Sequence, residues 1–325
     1  MKVTGDEHAS EVLSLLDNTF ADLQRTGDTQ RRQDFWYWKY RNSPFGEAAV
    51  QTIRLDSRLA AAGCLWPIKL SWAERDFLAL QACDTVVSSD FRRLGLFGKL
   101  NQARQRYAQE QQVDLIFNFP NANSLRGYLK SGWQLVGRVP WLVRVMKPAA
   151  LIHDFMHGGK ANSTMVPTIF HLDGPTAATL DGVAAGDANG ISLERPAGYW
   201  LWRFCQHPNR QYGLVRAESG AEDFAVFTLS KKESGLIEMV VVDFIARQKS
   251  LGGLMRALVC CARQVDAAFI AIMRPQGFSM FTFHRYGFLP VRQKNLVYWP
   301  ARADLPIEIG DIKNWNFRTA IHDSI

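Results

Sequence analysis

One segment of the chain combines basic side chains with glycines in a way that suits binding of a phosphate group. Residues 85–100 read TVVSSDFRRLGLFGKL, which predicts the end of a strand, a polar turn and a helix beginning near Gly95. The first turn of a helix has unpaired N–H groups and a partial positive charge, and a glycine there lets a ligand approach the backbone. With Arg92 and Arg93 at the same edge, the turn is a candidate anion site. The alternative is an ordinary strand-to-helix turn with exposed arginines.

A second group of polar and aromatic residues follows one helix and one strand later. Residues 119–133 read FPNANSLRGYLKSGW. This pattern predicts a loop containing Asn121, a short helix containing Tyr128, and a glycine turn before the next strand.

Together the two segments resemble the acyl-CoA site of the GCN5-related N-acetyltransferases (GNATs). The family motif is Arg/Gln-x-x-Gly-x-Gly/Ala, and the sequence RRLGLF that begins at Arg92 matches its first four positions. Phe97 replaces the small residue of the motif, and Gly98 follows it. The resemblance covers residues 5–147 best, including the segment FWYWKY at 35–40, which is similar to bacterial GNAT proteins of polysaccharide and secondary-metabolite pathways.

The resemblance implies acetyl-CoA or another acyl-CoA as the co-substrate, with no metal. The residues that it assigns to binding of this molecule are Thr85, Val86, Val87, Arg92, Arg93, Leu94, Gly95, Leu96, Phe97, Gly98 and Asn121. In the family scheme the acceptor amine attacks the thioester directly, and a strand N–H near Val86 polarises the acyl carbonyl.

The same resemblance assigns two catalytic residues. Tyr128 is the expected acid for the departing thiolate, and Asp84 is the expected base for the amine. The alternatives stay open: Tyr128 packed on the sheet, Asp84 as a hydrogen-bonded strand residue, and Asn121 as a turn residue or helix cap.

Two sequence patterns occur twice, in the same order. The aromatic segment at 35–40 returns as YWLWRF at 199–204, and each copy has a proline at the same distance after it. Residues 128–137, YLKSGWQLVG, are paralleled by FHRYGFLPVR at 283–292. This repetition predicts a duplicated domain, because chance rarely gives two echoes in order.

The predicted boundary is the Gly-, Ser- and Asn-containing stretch 157–167, which gives a first domain at 1–155 and a second at 165–325. The second copy lacks the basic turn, since Leu251-Gly252-Gly253-Leu254 has no counterpart of Arg92, and Phe283 replaces Tyr128. We expect this half to have lost acyl-CoA chemistry and to shape the acceptor pocket. A second, divergent active site is the alternative.

The order of predicted elements gives the fold class. Helices over 7–24 and 31–40, three strands, a helix, a strand, a short helix and a last strand predict a mixed α/β sheet. The expected architecture is therefore two tandem GNAT-like domains, the second degenerate. The tail 308–325 is amphipathic and aromatic, and we expect it to pack.

Composition narrows the class of protein. The chain has 325 residues, of which 47% are hydrophobic, enough for two cores. The first ten residues are polar and no run approaches a membrane span, so we expect a cytoplasmic protein. Five cysteines and seven histidines fit no metal or disulfide pattern.

The net charge of +7 suits a phosphate-bearing molecule and equally a basic surface with no specific partner. The sequence has no tract rich in lysine or arginine, which disfavours nucleic acid as a partner.

The sequence thus predicts an acyl-CoA-dependent N-acyltransferase that acts on the amine of a small metabolite or amino sugar. One alternative is a non-catalytic acyl-CoA-binding or scaffold protein. Another is an aminoacyl-tRNA-dependent transferase of the tandem-GNAT peptidoglycan-bridge type, against which the phosphate-binding turn argues. The sequence leaves a homodimer open.

Overall fold

The computed structural model describes residues 2–4, 6–19, 29–72, 75–157, 163–166, 168–183, 190–217, 222–274, 277–316 and 318–321. Part of the predicted first helix (20–24) and most of the predicted linker (158–162 and 167) lie outside these residues.

Strands and helices alternate along the chain. The strands are β1 (Lys2–Thr4), β2 (Ala49–Leu55), β3 (Arg58–Trp72), β4 (Arg75–Val87), β5 (Leu115–Asn118), β6 (Gln134–Val145), β7 (Ser163–Met165), β8 (Ser192–Leu193), β9 (Tyr212–Arg216), β10 (Phe224–Lys232), β11 (Ile237–Ile245), β12 (Ala267–Met273) and β13 (Leu289–Pro300). The helices are α1 (Ala9–Thr19), α2 (Thr29–Trp36), α3 (Leu96–Glu110), α4 (Ala122–Lys130), α5 (Pro148–Met156), α6 (Gly174–Ala178), α7 (Leu251–Gln264) and α8 (Met280–Arg285). The predicted mixed α/β fold is confirmed.

The chain forms two compact units, and each takes in two separate stretches of sequence. Unit 1 comprises Met1–Arg138 and Lys294–Ile312. Unit 2 comprises Val139–Gln293 and Lys313–Ile325. This differs from the predicted division into 1–155 and 165–325. The reason is strand pairing: the end of β13 pairs with β5 in unit 1, and the end of β6 pairs with β12 in unit 2.

In unit 1 the strands β1 to β4 pair antiparallel in chain order. Helix α3 then connects β4 to β5, which is parallel to β4. The end of β13 closes the sheet against β5, with Val297 opposite Asn118. Helices α3 and α4 cover one face with a core that includes Leu80, Ile116 and Tyr128. The connection by a helix is what a parallel strand pair requires.

Unit 2 follows the same order. Strand β10 pairs antiparallel with β9 and with β11. Helix α7 connects β11 to the parallel β12, and the end of β6 closes the sheet against β12. The C-terminal segment packs in this unit, where Trp315, Thr319 and Ile321 are buried, as predicted for the described part of the tail.

The repeated aromatic segments adopt the same unusual local structure. Each forms one π-helical turn, at Tyr37–Arg41 and at Leu201–Cys205. Each turn is closed by a matching backbone bond, from Asn42 N to Tyr37 O (2.8 Å) and from Gln206 N to Leu201 O (3.0 Å). Single π turns are frequent at functional sites. The first of them positions two residues of the site described below.

No helix in the described part of the chain is both long enough and apolar enough to cross a membrane.

Candidate functional site

The candidate site begins where strands β4 and β5 part. Their parallel pairing ends at Gln81 and Phe117, whereas β4 continues to Val87 and β5 stops at Asn118. The edge of β4 beyond Gln81 therefore has no pairing to β5. An edge of this kind offers backbone N–H and C=O groups to an extended ligand, as in the addition of a strand to a sheet.

Strand β4 has a bulge at this point. Ala62 pairs with Val86 and Cys64 pairs with Cys83, so Gly63 alone lies opposite Asp84 and Thr85. Asp84 has a φ of 45°, in the left-handed region that non-glycine residues seldom adopt. Bulges occur often next to active sites, where they redirect a side chain.

Two side chains from the first π-helical turn hold the carboxylate of Asp84. The Nζ atom of Lys39 lies 2.6 Å from Oδ2, and the hydroxyl of Tyr40 donates to the same oxygen at 2.5 Å. Lys39 is 2% exposed, while the Asp84 side chain keeps 23% exposure. Burial and the neighbouring Asp84 carboxylate raise the pKa of Tyr40, which therefore stays protonated and donates. Within the described residues, Oδ1 of Asp84 receives no hydrogen bond, so one oxygen is held and the other is available to a ligand.

The three residues after Asp84 line the same part of β4. The Oγ1 atom of Thr85 accepts a hydrogen bond from Arg104 at 2.6 Å. Val86 is buried, and Val87 packs with a small core cluster that contains Leu96 of helix α3. The structure thus brings Thr85, Val86 and Val87 to the free edge of β4 that the sequence assigned to the acyl-CoA arm.

The start of helix α3 is open. Gly95 is the N-cap residue in the left-handed conformation (φ 70°), and no side chain caps the helix. A Cβ atom placed on Gly95 or on Gly98 would meet nothing within 4 Å. Arg92, Arg93 and Leu94 are exposed around this turn. The open glycines and the uncapped amides fit a phosphate-bearing molecule, since nothing in the described chain fills the space beside them.

Charges near the turn favour an anion. The acidic residue of the loop, Asp90, is paired with Arg58 at 2.5 Å, and this hydrogen bond lowers the pKa of the Asp90 carboxyl. Neither Arg92 nor Arg93 has a carboxylate partner among the described residues. The turn therefore carries uncompensated positive charge at its surface.

Phe97, the residue that departs from the family motif, has a structural explanation. A Cβ atom on Gly127 would lie 2.6 Å from its ring, and the ring meets that of Tyr128 edge-on at 5.1 Å. Phe97 thus packs on helix α4, which has a glycine at the contact. The large side chain leaves the first turn of α3 unobstructed.

Tyr128 is fixed by packing and by one hydrogen bond. It is 1% exposed, its ring lies 4.7 Å from that of Trp133, and its hydroxyl accepts from Asn118 Nδ2 at 2.7 Å. A phenol that accepts from an amide keeps its own O–H available as a donor. The packing alternative raised by the sequence is therefore observed, and it is compatible with the predicted acid role, which stays a prediction.

Asn121 caps helix α4. Its Oδ1 accepts hydrogen bonds from the backbone N of Ser124 (2.9 Å) and from its hydroxyl (3.0 Å). The capping alternative is thus the one that the structure shows, and contact of Asn121 with a co-substrate stays a prediction. The amide closer to the parting of β4 and β5 is Asn118, at the end of β5.

In the corresponding turn of unit 2, the arginine and a first-turn glycine lie against neighbouring side chains. Arg247 is bound by Asp223 (3.3 Å), and Ser250 turns its hydroxyl back to the carbonyl of Arg247 (3.1 Å). A Cβ atom on Gly252, which takes the position of Phe97 in the first turn of the helix, would lie 3.1 Å from the hydroxyl of Tyr286. Phe283 is fully buried in the core. Lys249 in the turn before α7 is exposed and the Arg247 side chain keeps 40% exposure, so the start of α7 differs from that of α3 in the pairing of its arginine and not in a lack of basic residues.

Three residues of the site were not identified as functional from the sequence: Lys39, Tyr40 and Arg104. The repeated aromatic segment contained Lys39 and Tyr40, but nothing in it pointed to Asp84, which is far along the chain. Arg104 occurs in an ordinary helical pattern and gave no signal. In the part of the chain that the structure describes, no cluster of His, Cys, Asp or Glu could hold a metal ion.

The chain has the fold of the GCN5-related N-acetyltransferases. It is similar to a GCN5-related N-acetyltransferase from Anabaena variabilis, with 12% identity and a TM-score of 0.64 over 93% of this chain and 72% of that one. A GCN5-related N-acetyltransferase from Kribbella flavida gives 12% identity and a TM-score of 0.57, covering 91% and 69%. Eis1 from Mycobacterium abscessus gives 10% identity and a TM-score of 0.56, covering 92% and 73%. No family model and no curated protein matches the sequence.

Proposed function

We propose that this protein is an acyl-CoA-dependent N-acyltransferase, with acetyl-CoA as the expected donor and the amine of a small metabolite or amino sugar as the acceptor. The observation that carries the proposal is the continuity of two features in unit 1. The edge of β4 that does not pair with β5 leads, through the loop 88–95 that contains the exposed Arg92 and Arg93, to the uncapped start of α3. A molecule with an extended amide-containing arm and a pyrophosphate needs both features, in this order.

We assign each residue a role from its position in unit 1. The first-turn amides of α3, with Arg92 and Arg93, hold the pyrophosphate. The backbone of Thr85, Val86 and Val87 holds the arm. The free oxygen of Asp84 orients the acceptor amine and takes its proton, and Tyr128 donates a proton to the thiolate.

The reaction balances with these groups alone. The amine nitrogen forms a bond to the thioester carbonyl carbon, and the carbon–sulfur bond breaks. One proton leaves the nitrogen toward Asp84, and the phenol of Tyr128 supplies one proton to the sulfur. Solvent exchange then restores both residues.

The duplicated architecture belongs to the same proposal. Unit 2 repeats the strand order, the π-helical turn and a bulge just beyond the parallel pairing, where Val242 of β11 is the extra residue opposite Val226 and Phe227. The pairing of Arg247 with Asp223 and the phenylalanine in place of Tyr128, which has no hydroxyl to donate, support a copy that has lost acyl-CoA chemistry. One acyl-CoA per chain is therefore expected.

Replacement of Tyr128 by phenylalanine tests catalysis. We expect Tyr128→Phe to lower the turnover number by about 10²–10⁴-fold, the range for loss of a general acid, while the dissociation constant for acetyl-CoA stays unchanged. The assay is release of the CoA thiol with a panel of amines. Tyr107→Phe is the matched control, because Tyr107 packs against the same core cluster and should leave turnover unaltered.

The outcomes separate the alternatives. Acyl-CoA binding without turnover on any amine would indicate a non-catalytic binding protein. Absence of acyl-CoA binding, with transfer from an aminoacyl-tRNA instead, would indicate the peptidoglycan-bridge type of transferase. Equal turnover in Tyr128→Phe and the wild type would remove Tyr128 from the mechanism.

A further inference from the structure

Helix α3 contains a buried cation that the roles above do not use. Arg104 is 0% exposed. Its guanidinium donates to Asn101 Oδ1 at 3.2 Å and to Thr85 Oγ1 at 2.6 Å. Its Nε atom is buried and has no hydrogen-bond partner, and no carboxylate among the described residues forms an ion pair with it. A buried charge with only neutral partners is costly, because desolvation is not offset by an opposite charge.

The neighbouring strand makes room for this side chain. A Cβ atom on Gly63 would lie 2.2 Å from Nη2 of Arg104. Gly63 is the residue opposite the bulge of β4, where Asp84 and Thr85 face a single partner. The guanidinium therefore occupies the space over the bulge that a glycine leaves open, and it binds the second bulged residue.

Side chains from other elements therefore bind both residues of the bulge. Lys39 and Tyr40 bind Asp84, and Arg104 binds Thr85. Because Thr85 directly precedes Val86, the hydrogen bond from Arg104 fixes the backbone that the proposed function assigns to the acyl arm. Arg104 also belongs to helix α3, whose first turn is the proposed pyrophosphate site.

We propose that Arg104 is a positioning residue, which acts through Thr85 to hold the bulged segment of β4 in register with helix α3. The effect on turnover rests on the proposed function; the effect on the strand does not. Arg104 touches neither donor nor acceptor in this account. In this proposal the buried charge of Arg104 maintains the geometry of the site and lowers the free energy of unfolding.

Amide hydrogen exchange of the segment Asp84–Val87 tests the proposal without any substrate. In Arg104→Met we expect exchange there to become about tenfold faster or more, the factor for loss of a hydrogen bond from a charged donor. The melting temperature should stay the same or rise, because an uncompensated buried charge is removed. Arg106→Met is the matched control on the same helix, where Arg106 is exposed, and its exchange should equal that of the wild type.

Gly63→Ala provides an independent variant, since the added methyl displaces the guanidinium and leaves the arginine in the chain. It should speed exchange of the same segment. In both variants the turnover number should fall about tenfold or more, and the KM for acetyl-CoA should rise, because the loosened segment is the one assigned to the acyl arm. A lower melting temperature in Arg104→Met with unchanged exchange of Asp84–Val87 in both variants would overturn the proposal. If the wild-type protein neither binds nor turns over acetyl-CoA, the proposed function fails, and the exchange measurement still decides the role of Arg104.

Discussion

The residue that the candidate site depends on most is Asp84. It adopts a backbone conformation that costs free energy for a residue with a Cβ atom. It persists because Lys39 and Tyr40, both buried, hold one of its oxygens. The Asp84 side chain keeps 23% exposure, which its proposed role in binding the acceptor requires.

Residue types and the family resemblance together predicted part of this candidate site. The motif around Arg92 and Gly95 and the spacing of Tyr128 marked three of its components. The contact between Lys39 and Asp84 could not be predicted from the sequence. It depends on a π-helical turn and on a β-bulge, and neither produces a periodic pattern of residues. The same holds for Arg104, whose partner Thr85 lies on another element.

Loss of the buried lysine should affect both stability and activity. We expect Lys39→Met to lower the free energy of unfolding by roughly 1–3 kcal/mol, less than for a fully buried pair because Asp84 is partly exposed. Turnover should fall as well, since the carboxylate is no longer held. Chemical denaturation and the thiol-release assay measure the two effects.

Lys69→Met is the control, because Lys69 is exposed on β3 and should behave as the wild type. In the double variant Lys39→Met/Asp84→Asn, part of the lost stability should return, since no unpaired charge remains. Equal stability of Lys39→Met and Lys69→Met would show that the pair contributes nothing.

At the scale of secondary structure elements, the candidate site consists of the bulge in β4 and the open start of α3, which the loop 88–95 connects. The mixed sheet and the helix between parallel strands could be predicted, because hydrophobic periodicity and glycine turns mark them. The sequence could not predict that the sheet of each unit is completed by a strand from the other half of the chain. The end of β13 completes the sheet of unit 1, and nothing in a local sequence pattern says which strand it will join.

The strand exchange predicts that residues 1–155 do not fold alone. Without residues 294–312, β5 loses its antiparallel neighbour and the core loses Leu296 and Val297, both fully buried. An exposed apolar strand edge leads to aggregation. Circular dichroism and size-exclusion chromatography should show an unfolded or aggregated fragment.

A matched fragment tests the reason for that failure. Residues 1–138 joined to 294–312 by a flexible Gly/Ser linker contain all of unit 1 and should be monomeric and unfold cooperatively. Cooperative unfolding of the simple fragment 1–155 would contradict the assigned role of β13.

For the whole molecule, the difference between the two units carries the functional argument. Both have the same strand order and a connecting helix, but among the described residues Arg92 and Arg93 before α3 have no carboxylate partner, whereas Arg247 before α7 is paired with Asp223. At the start of α7, Tyr286 covers Gly252. The molecule is thus expected to contain one donor site.

Isothermal titration of acetyl-CoA into the full chain tests this claim most directly. We expect one site per chain in the wild type. Arg92→Glu should weaken binding at least about tenfold, or about 1.4 kcal/mol, since it places a negative charge beside the pyrophosphate. Arg106→Glu, the same charge reversal at an exposed position near the other end of α3, should bind like the wild type. Two equal sites per chain, or undiminished affinity in Arg92→Glu, would contradict the account.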